Sequence, residues 1–382
     1  MMMPLTLRII FFLLMSSALI LGYADLFGPN DFAFDFERLH IFLFNLCSGG
    51  TIIVYYTEGR RKPGPATNSF LLLAVGYALL AFYEVYLPAL LIGFVLAAVV
   101  EVVRIRRFSW NPASLLSATV SVRSKFHHAS LICLSLALIS AGLVIANNEF
   151  YHWLDMAKLQ LNTFFLGFSF PVSLISMSVI FSQMNSLAGE KQDKPMRRLV
   201  GLLKESCFWT INLGVIIFFI FILLEKLVYQ VIIASILFCA VMLTYSLYGT
   251  LGTRLQQKHF LTSGILFLVG TAVTGILYII LAFSPTYEPE KYKYLLRIHA
   301  FLSLYGWNLS GLAVLIRRHE FPIELHSGKL VALHWLTVVL LCPLGRYNQL
   351  FAVAAVGCYI FILYAFFFRK GRRDTGLAEL DI

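Results

Sequence analysis

Apolar runs of close to twenty residues follow one another along almost the whole chain, separated by short polar stretches. A run of about 20 residues, rising ~1.5 Å per residue as a helix, is what crosses the hydrocarbon core of a bilayer. With 59% of its 382 residues hydrophobic and 13% charged, the chain carries far fewer charges than a water-soluble domain of ordinary composition. It therefore reads as an all-α, polytopic membrane protein, with irregular backbone confined to loops. Twelve spans are expected, over 5–24, 38–57, 69–87, 88–103, 127–147, 160–185, 205–224, 227–252, 260–283, 295–316, 329–345 and 349–368. The third and fourth divide at Pro88 as a tight hairpin. The first lacks a small-residue cleavage site before "DLFGPND", so it reads as a span rather than a signal peptide. The expected organisation is one transmembrane domain over 1–382, its last residues, 369–382, forming a short cytoplasmic tail.

Charge orients these spans. Of the 30 Lys and Arg, 23 fall in one set of alternate loops and 7 in the other. Basic loops stay on the cytoplasmic side, so both termini are expected in the cytoplasm. The net charge of +10 then reflects topology and attraction to anionic lipid. Membrane lipid is the implied partner. Nucleic acid is not, because the basic loops carry no interleaved aromatic platforms. Six cysteines form no CxxC pair, which removes a zinc ribbon and a c-type haem attachment site.

Ionisable groups inside a bilayer are expensive and tend to be functional. No Asp, Glu, Lys or Arg falls near the middle of an expected span; Glu84 sits near an outer end, and Glu101 and Glu205 near inner ends. The usual marker of a proton-coupled transporter is therefore missing. Six histidines read as loop or interfacial residues: His152 outside, His319 and His326 in an inner loop, and His127, His128 and His259 at inner helix starts. His40, in "FDFERLHIFLFN", and His299, in "LLRIHAFLSLYGWN", each lie about one turn inside the outer ends of spans 2 and 10, ~5 Å below one boundary. Two neutral imidazoles at one depth can ligate a haem iron from both sides. The same spacing also suits two interfacial histidines that never meet. His334, in "VALHWLTVV", lies in the inner half of span 11 with no partner at its depth.

The patches "RLHIFLFNL", "RIHAFLSLYGWNLSGLAVL" and "SGKLVALHWLTVVLLCPLGRYNQ", together with twelve spans, resemble subunit I of the haem–copper oxidases. That resemblance implies one low-spin haem b with His40 and His299 as axial ligands. Arg38 and Arg346 would lie outside it, near the propionates, with Tyr347 following. Departures are as informative. The family's H-x-H on span 10 has Arg297 at its first position here. "TFFLGFSFPVSLISM" lacks the copper histidine and tyrosine of span 6, and "CFWTINLGVIIFFIF" lacks the copper histidines of span 7. The expectation is a kept haem b without copper and without terminal oxidase activity, serving electron transfer or redox or gas sensing. Its setting would be the bacterial cytoplasmic membrane, with other respiratory or cytochrome subunits as partners. The chain is also similar to the NnrS-type membrane proteins, which would imply a gas-reacting haem or copper enzyme with His334 as candidate for a second metal. A third reading is a haem-free transporter or assembly scaffold, in which Gly306, Gly311 and the small residues of "TSGILFLVGTAVTGILY" serve helix packing.

Overall fold

The computed structural model describes residues 3–27, 35–160, 166–184, 194–252, 257–317, 321–322, 327–369 and 371–372. The start of the expected sixth span, His319, His326 and most of the 369–382 tail lie outside them. Apart from a two-residue ladder between Phe321–Pro322 and Gly371–Arg372 and a bridge between Met184 and Gly252, the described residues form helices and their connections. Ten helices are long and apolar enough to cross a membrane. In chain order they are α2 (Arg38–Glu58), α3 (Pro65–Phe82), α4 (Tyr86–Arg107), α5 (Val122–Tyr151), α7 (Pro195–Leu223), α8 (Leu227–Leu251), α9 (His259–Leu281), α10 (Glu290–Ile316), α11 (Gly328–Gly345) and α12 (Gln349–Phe368). Two shorter apolar helices, α1 (Leu5–Leu21) and α6 (Ser169–Ser182), occupy the places of the first and sixth expected spans.

The hairpin α3–α4 turns earlier than Pro88. Glu84 takes a left-handed conformation, φ 59°, and the Val85 amide closes back onto the Leu80 carbonyl at 2.8 Å. Pro88 falls in the first turn of α4, where its missing N–H would have had no helical partner anyway. The α7–α8 hairpin repeats the device with Glu225, φ 52°, and an amide bond from Lys226 to the Phe221 carbonyl at 3.0 Å.

Burial separates centre from periphery. Of the most apolar stretch of α2, 89% is buried, and of α10, 72%; for α7 and α8 the figures are 28% and 22%. α2 and α10 are thus the hub, and α7 and α8 present most of their surface outward. The hub helices touch through side chains of moderate polarity. Asn308 Nδ2 donates to Asn45 Oδ1 at 3.3 Å and to Ser169 Oγ at 2.7 Å, which joins α2, α6 and α10. Trp307 Nε1 donates to Ser173 Oγ at 2.6 Å, and Phe44 meets Tyr305 edge-on at 5.3 Å between ring centres. With no water to compete, such bonds fix which faces meet.

Four segments of these helices depart from α-helical winding: Phe42–Gly50 in α2, Asn147–Tyr151 at the end of α5, Leu302–Asn308 in α10 and Leu336–Leu341 in α11 are π-helical. In α11 the cause is Pro343, two residues on, which cannot donate and would crowd the preceding turn. In α2 and α10 the wide turns coincide with Gly49, Gly50 and Gly306. At Gly306 a Cβ would press into the Phe267 ring, 2.5 Å from its Cγ, so only glycine allows the close approach of α9 and α10. A wide turn leaves carbonyls in need of a donor, and side chains supply them. Ser48 Oγ donates to Leu43 O at 2.8 Å in α2, and His334 Nε2 donates to Tyr305 O at 2.6 Å in α10.

Gly311 faces α6 so closely that a Cβ would overlap the Ser176 side chain. Gly311→Val is expected to destabilise the protein by about 1–3 kcal/mol through overpacking. Ser176→Gly in the same chain should recover most of it, as read by thermal unfolding in detergent.

Candidate functional site

Two of the four residues expected around a haem, His40 and Arg346, meet at the end of α1. Asp35 caps the start of α2, its Oδ1 accepting from the Arg38 amide at 2.9 Å. Arg38 itself pairs with Asp35 (Nε to Oδ2, 3.6 Å) and donates through Nη1 to Ala81 O at 3.2 Å. One half-turn along, buried His40 lies against Gly22, where an added Cβ would stand 3.6 Å from its Cγ. Arg346 reaches the same residue from α11, its Nη1 donating to the Gly22 carbonyl. Tyr23 then donates to Cys342 O at 2.8 Å. Arg346 is a cation at the C-terminal end of α1, where exposed carbonyls favour positive charge.

His299 is built into a different face. Its Nδ1–H donates to the Thr271 carbonyl at 2.9 Å. A Cβ at Gly275 would come 3.1 Å from its Cε1 and Nδ1. A carbonyl can only accept, so the proton sits on Nδ1 and the Nε2 lone pair remains. This is the tautomer that a metal-bound imidazole takes when its other nitrogen is tied to a backbone carbonyl. Gly306 and Ser310, which pack on Phe267 and Gly264 of α9, lie on this same face of α10.

Phe301 is two residues after His299, hence about 200° around the helix. Its ring faces Tyr23 at 6.3 Å and Tyr305 at 6.0 Å. Arg297, four residues before Phe301, lies on the Phe301 side, about 40° from it; its Nε is buried without a protein partner. The side of α10 turned toward α1 and α2 therefore carries Arg297, Phe301 and Tyr305, and His299 is turned toward α9. The depths differ as well. The pairs Phe44–Tyr305, Asn45–Asn308 and Gly49–Leu312 set a register in which His299 lies two to four residues, ~3–6 Å, farther out than His40. The structure brings His40 and Arg346 together at Gly22, and it does not bring His299 to them. As donor chemistry His299 fits a haem iron. The bond to Thr271 and the contact with Gly275 turn His299 toward α9 rather than toward His40.

His334, which had no visible partner in sequence, is one of the most tightly held histidines. Its Nε2–H satisfies the Tyr305 carbonyl, and its ring packs on Phe267 at 4.8 Å and Phe366 at 6.1 Å. Its Nδ1 is buried without a protein partner. Among the described residues no three His, Cys, Asp or Glu side chains stand together as a metal site.

At the end of the bundle away from His40, His127 and His128 are buried, at 2% and 1% exposure, rather than interfacial. Thr57 Oγ1 donates to Ile53 O at 2.7 Å and so accepts from His127 Nε2 at 2.8 Å. His128 Nε2 accepts from Arg104 Nη1 at 3.0 Å, and its ring stacks on Phe108 at 4.6 Å. Arg104 also pairs with Glu101 at 2.6 Å, and Lys125 with Glu205 at 2.9 Å. Arg104 is fully engaged, adding the Ser109 and Trp110 carbonyls, so this cluster locks the inner ends of α4 and α5. These partners were hidden in the sequence because Thr57 lies 70 residues before His127. The Asn45–Asn308 bridge is silent in the sequence for a different reason: amides carry no charge, so they do not stand out among apolar residues as ionisable groups do.

No family model, curated protein or solved structure matches this chain.

Removing the His334 donor would strand a carbonyl in the bilayer interior, at a cost of about 1–3 kcal/mol. His334→Leu should lower the unfolding temperature more than His334→Gln, whose amide can still donate. Equal losses in the two variants would remove the role given to this bond.

Proposed function

We propose that the chain is a twelve-span protein of the bacterial cytoplasmic membrane, with both termini in the cytoplasm, that binds one b-type haem through His299. The observation that carries this reading is the His299–Thr271 bond, which leaves Nε2 as the free nitrogen on a glycine-walled face of α10. When bound, the haem would supply one-electron redox chemistry to the membrane interior. The chain's own contribution is to hold the imidazole in one tautomer and one orientation, and to surround it with apolar helix. Other respiratory or cytochrome subunits are the partners such a protein would serve.

The orientation of His299 bears on the kind of haem. His40 as the second axial ligand would give the low-spin, electron-carrying site that the oxidase resemblance implies, and the opposed faces weigh against it. An iron held by His299 alone would keep an open position, which is the gas-reacting alternative. A haem-free scaffold is the remaining reading. It is favoured by the interlocking of α2, α6 and α10 through Asn45, Asn308, Ser169 and Gly311.

Reduced-minus-oxidised and carbon monoxide difference spectra of the purified protein separate these readings. The expected result is a haem b spectrum that shifts with carbon monoxide, is lost in His299→Ala and survives in His40→Ala. Loss in both variants with no carbon monoxide shift would instead support the two-histidine site. A colourless, folded preparation would leave the scaffold.

A further inference from the structure

On the face of α10 opposite His299, two phenols sit in the middle of the bundle with nothing in the protein to bond. Tyr305 and Tyr359 are fully buried, their rings meet edge-on at 5.1 Å, and neither hydroxyl has a partner. Tyr359 is the eleventh residue of the 20-residue α12, so its hydroxyl belongs to the middle of the membrane rather than to an edge. The surroundings are polar. The Cys342 thiol lies within electrostatic reach of both phenols, and Arg346 within reach of Tyr305. Tyr23, between them and the outer end, is tied to the Cys342 carbonyl.

A hydroxyl is a donor and an acceptor, and burying it in hydrocarbon with neither role filled is strongly unfavourable. Two such groups side by side are harder to explain as accidents of packing than one. Phenylalanine would fill the same space, and this chain uses it 34 times. Buried polar groups that the protein leaves unpaired are satisfied by ordered water when the site is polar and roomy enough for two to four bonds per molecule. Tyr305, Tyr359 and Cys342 supply such a set.

We propose that α10, α11 and α12 enclose an ordered-water site between Tyr305, Tyr359 and Cys342, supplied from the outer surface past Arg346 and Tyr23. The site is independent of a haem on His299, because it lies on the other face of α10.

Radiolytic hydroxyl-radical labelling of the full-length protein in lipid nanodiscs tests this, because radicals form from water where the water is held. Tyr305 and Tyr359 are expected to be modified severalfold faster than Tyr248, and Cys342 than Cys47, residues of the same kinds that are as deeply buried but lie outside the site. In a folded Tyr305→Phe, Tyr359→Phe variant the labelling of Cys342 should fall. Labelling of the two phenols at the rate of Tyr248 and of Cys342 at the rate of Cys47 would overturn the proposal, as would labelling abolished by a bound haem. Thermal unfolding gives a second reading. Deleting hydroxyls that bond water should leave the unfolding temperature unchanged or lower, and a clear rise would mean that they had been buried with no partner at all.

Discussion

A carbonyl inside a bilayer must find a donor within the protein, and much of this fold follows from where those donors are. Lipid offers no alternative, so carbonyls at a widened turn, on a helix face and at a helix end are each met by a side chain that reaches them. His334 crosses from α11 to the Tyr305 carbonyl, His299 crosses from α10 to the Thr271 carbonyl, and Arg346 crosses to the Gly22 carbonyl at the end of α1. These bonds bind neighbouring helices to one another at fixed rotation. They also account for three of the polar residues that seem out of place in an apolar chain. Two of the three histidines buried in the outer and middle bundle are thus structural donors first, and any chemistry rests on the nitrogen left over.

The same constraint explains why the centre is polar and the rim is not. α2 and α10 meet through Asn45 and Asn308, with Ser169 and Ser173 of α6 completing the contact. Glycines at 49, 306 and 311 let the backbones come close enough for these short side chains to touch. α7 and α8, which need only face lipid, are left with long aliphatic surfaces such as Ile216, Ile220, Ile232 and Ile236. The helix ends away from His40 are held differently, by the charged pairs Glu101–Arg104 and Lys125–Glu205, as suits an edge where water and headgroups make charge less costly.

How much of this can be read in the residues depends on whether the information is local. Helix length and order are local properties, and the apolar runs lead to the ten helices long enough to span, with two shorter apolar helices at the places of the first and sixth expected spans. The α3–α4 hairpin is found as well, and only its corner moves, because Pro88 is compatible with a first turn as well as with a loop. Helix rotation is not local. "RIHAF" contains Arg297, His299 and Phe301 on two faces of one helix, and nothing within it tells which face meets α2. That is set by Tyr305, Asn308 and Leu312 further along. The wide turns are equally hidden, since they shift the phase that a helical reading of "LSLYGWN" would assume. His127 and His128 look like headgroup residues until Thr57 and Arg104, far off in sequence, are brought beside them.

The central claim is the rotation and register of α10 against α2. Pairwise disulfide cross-linking in native membranes, in a chain whose own six cysteines are replaced, measures it directly. A disulfide forms readily only where Cα atoms come within about 4.4–6.8 Å. Asn45→Cys with Asn308→Cys should cross-link, and His299→Cys should cross-link more readily with Gly275→Cys than with any position of α2. Failure of the Gly275→Cys pair, with His299→Cys instead joining α2, would contradict this rotation and return His299 to the side of His40.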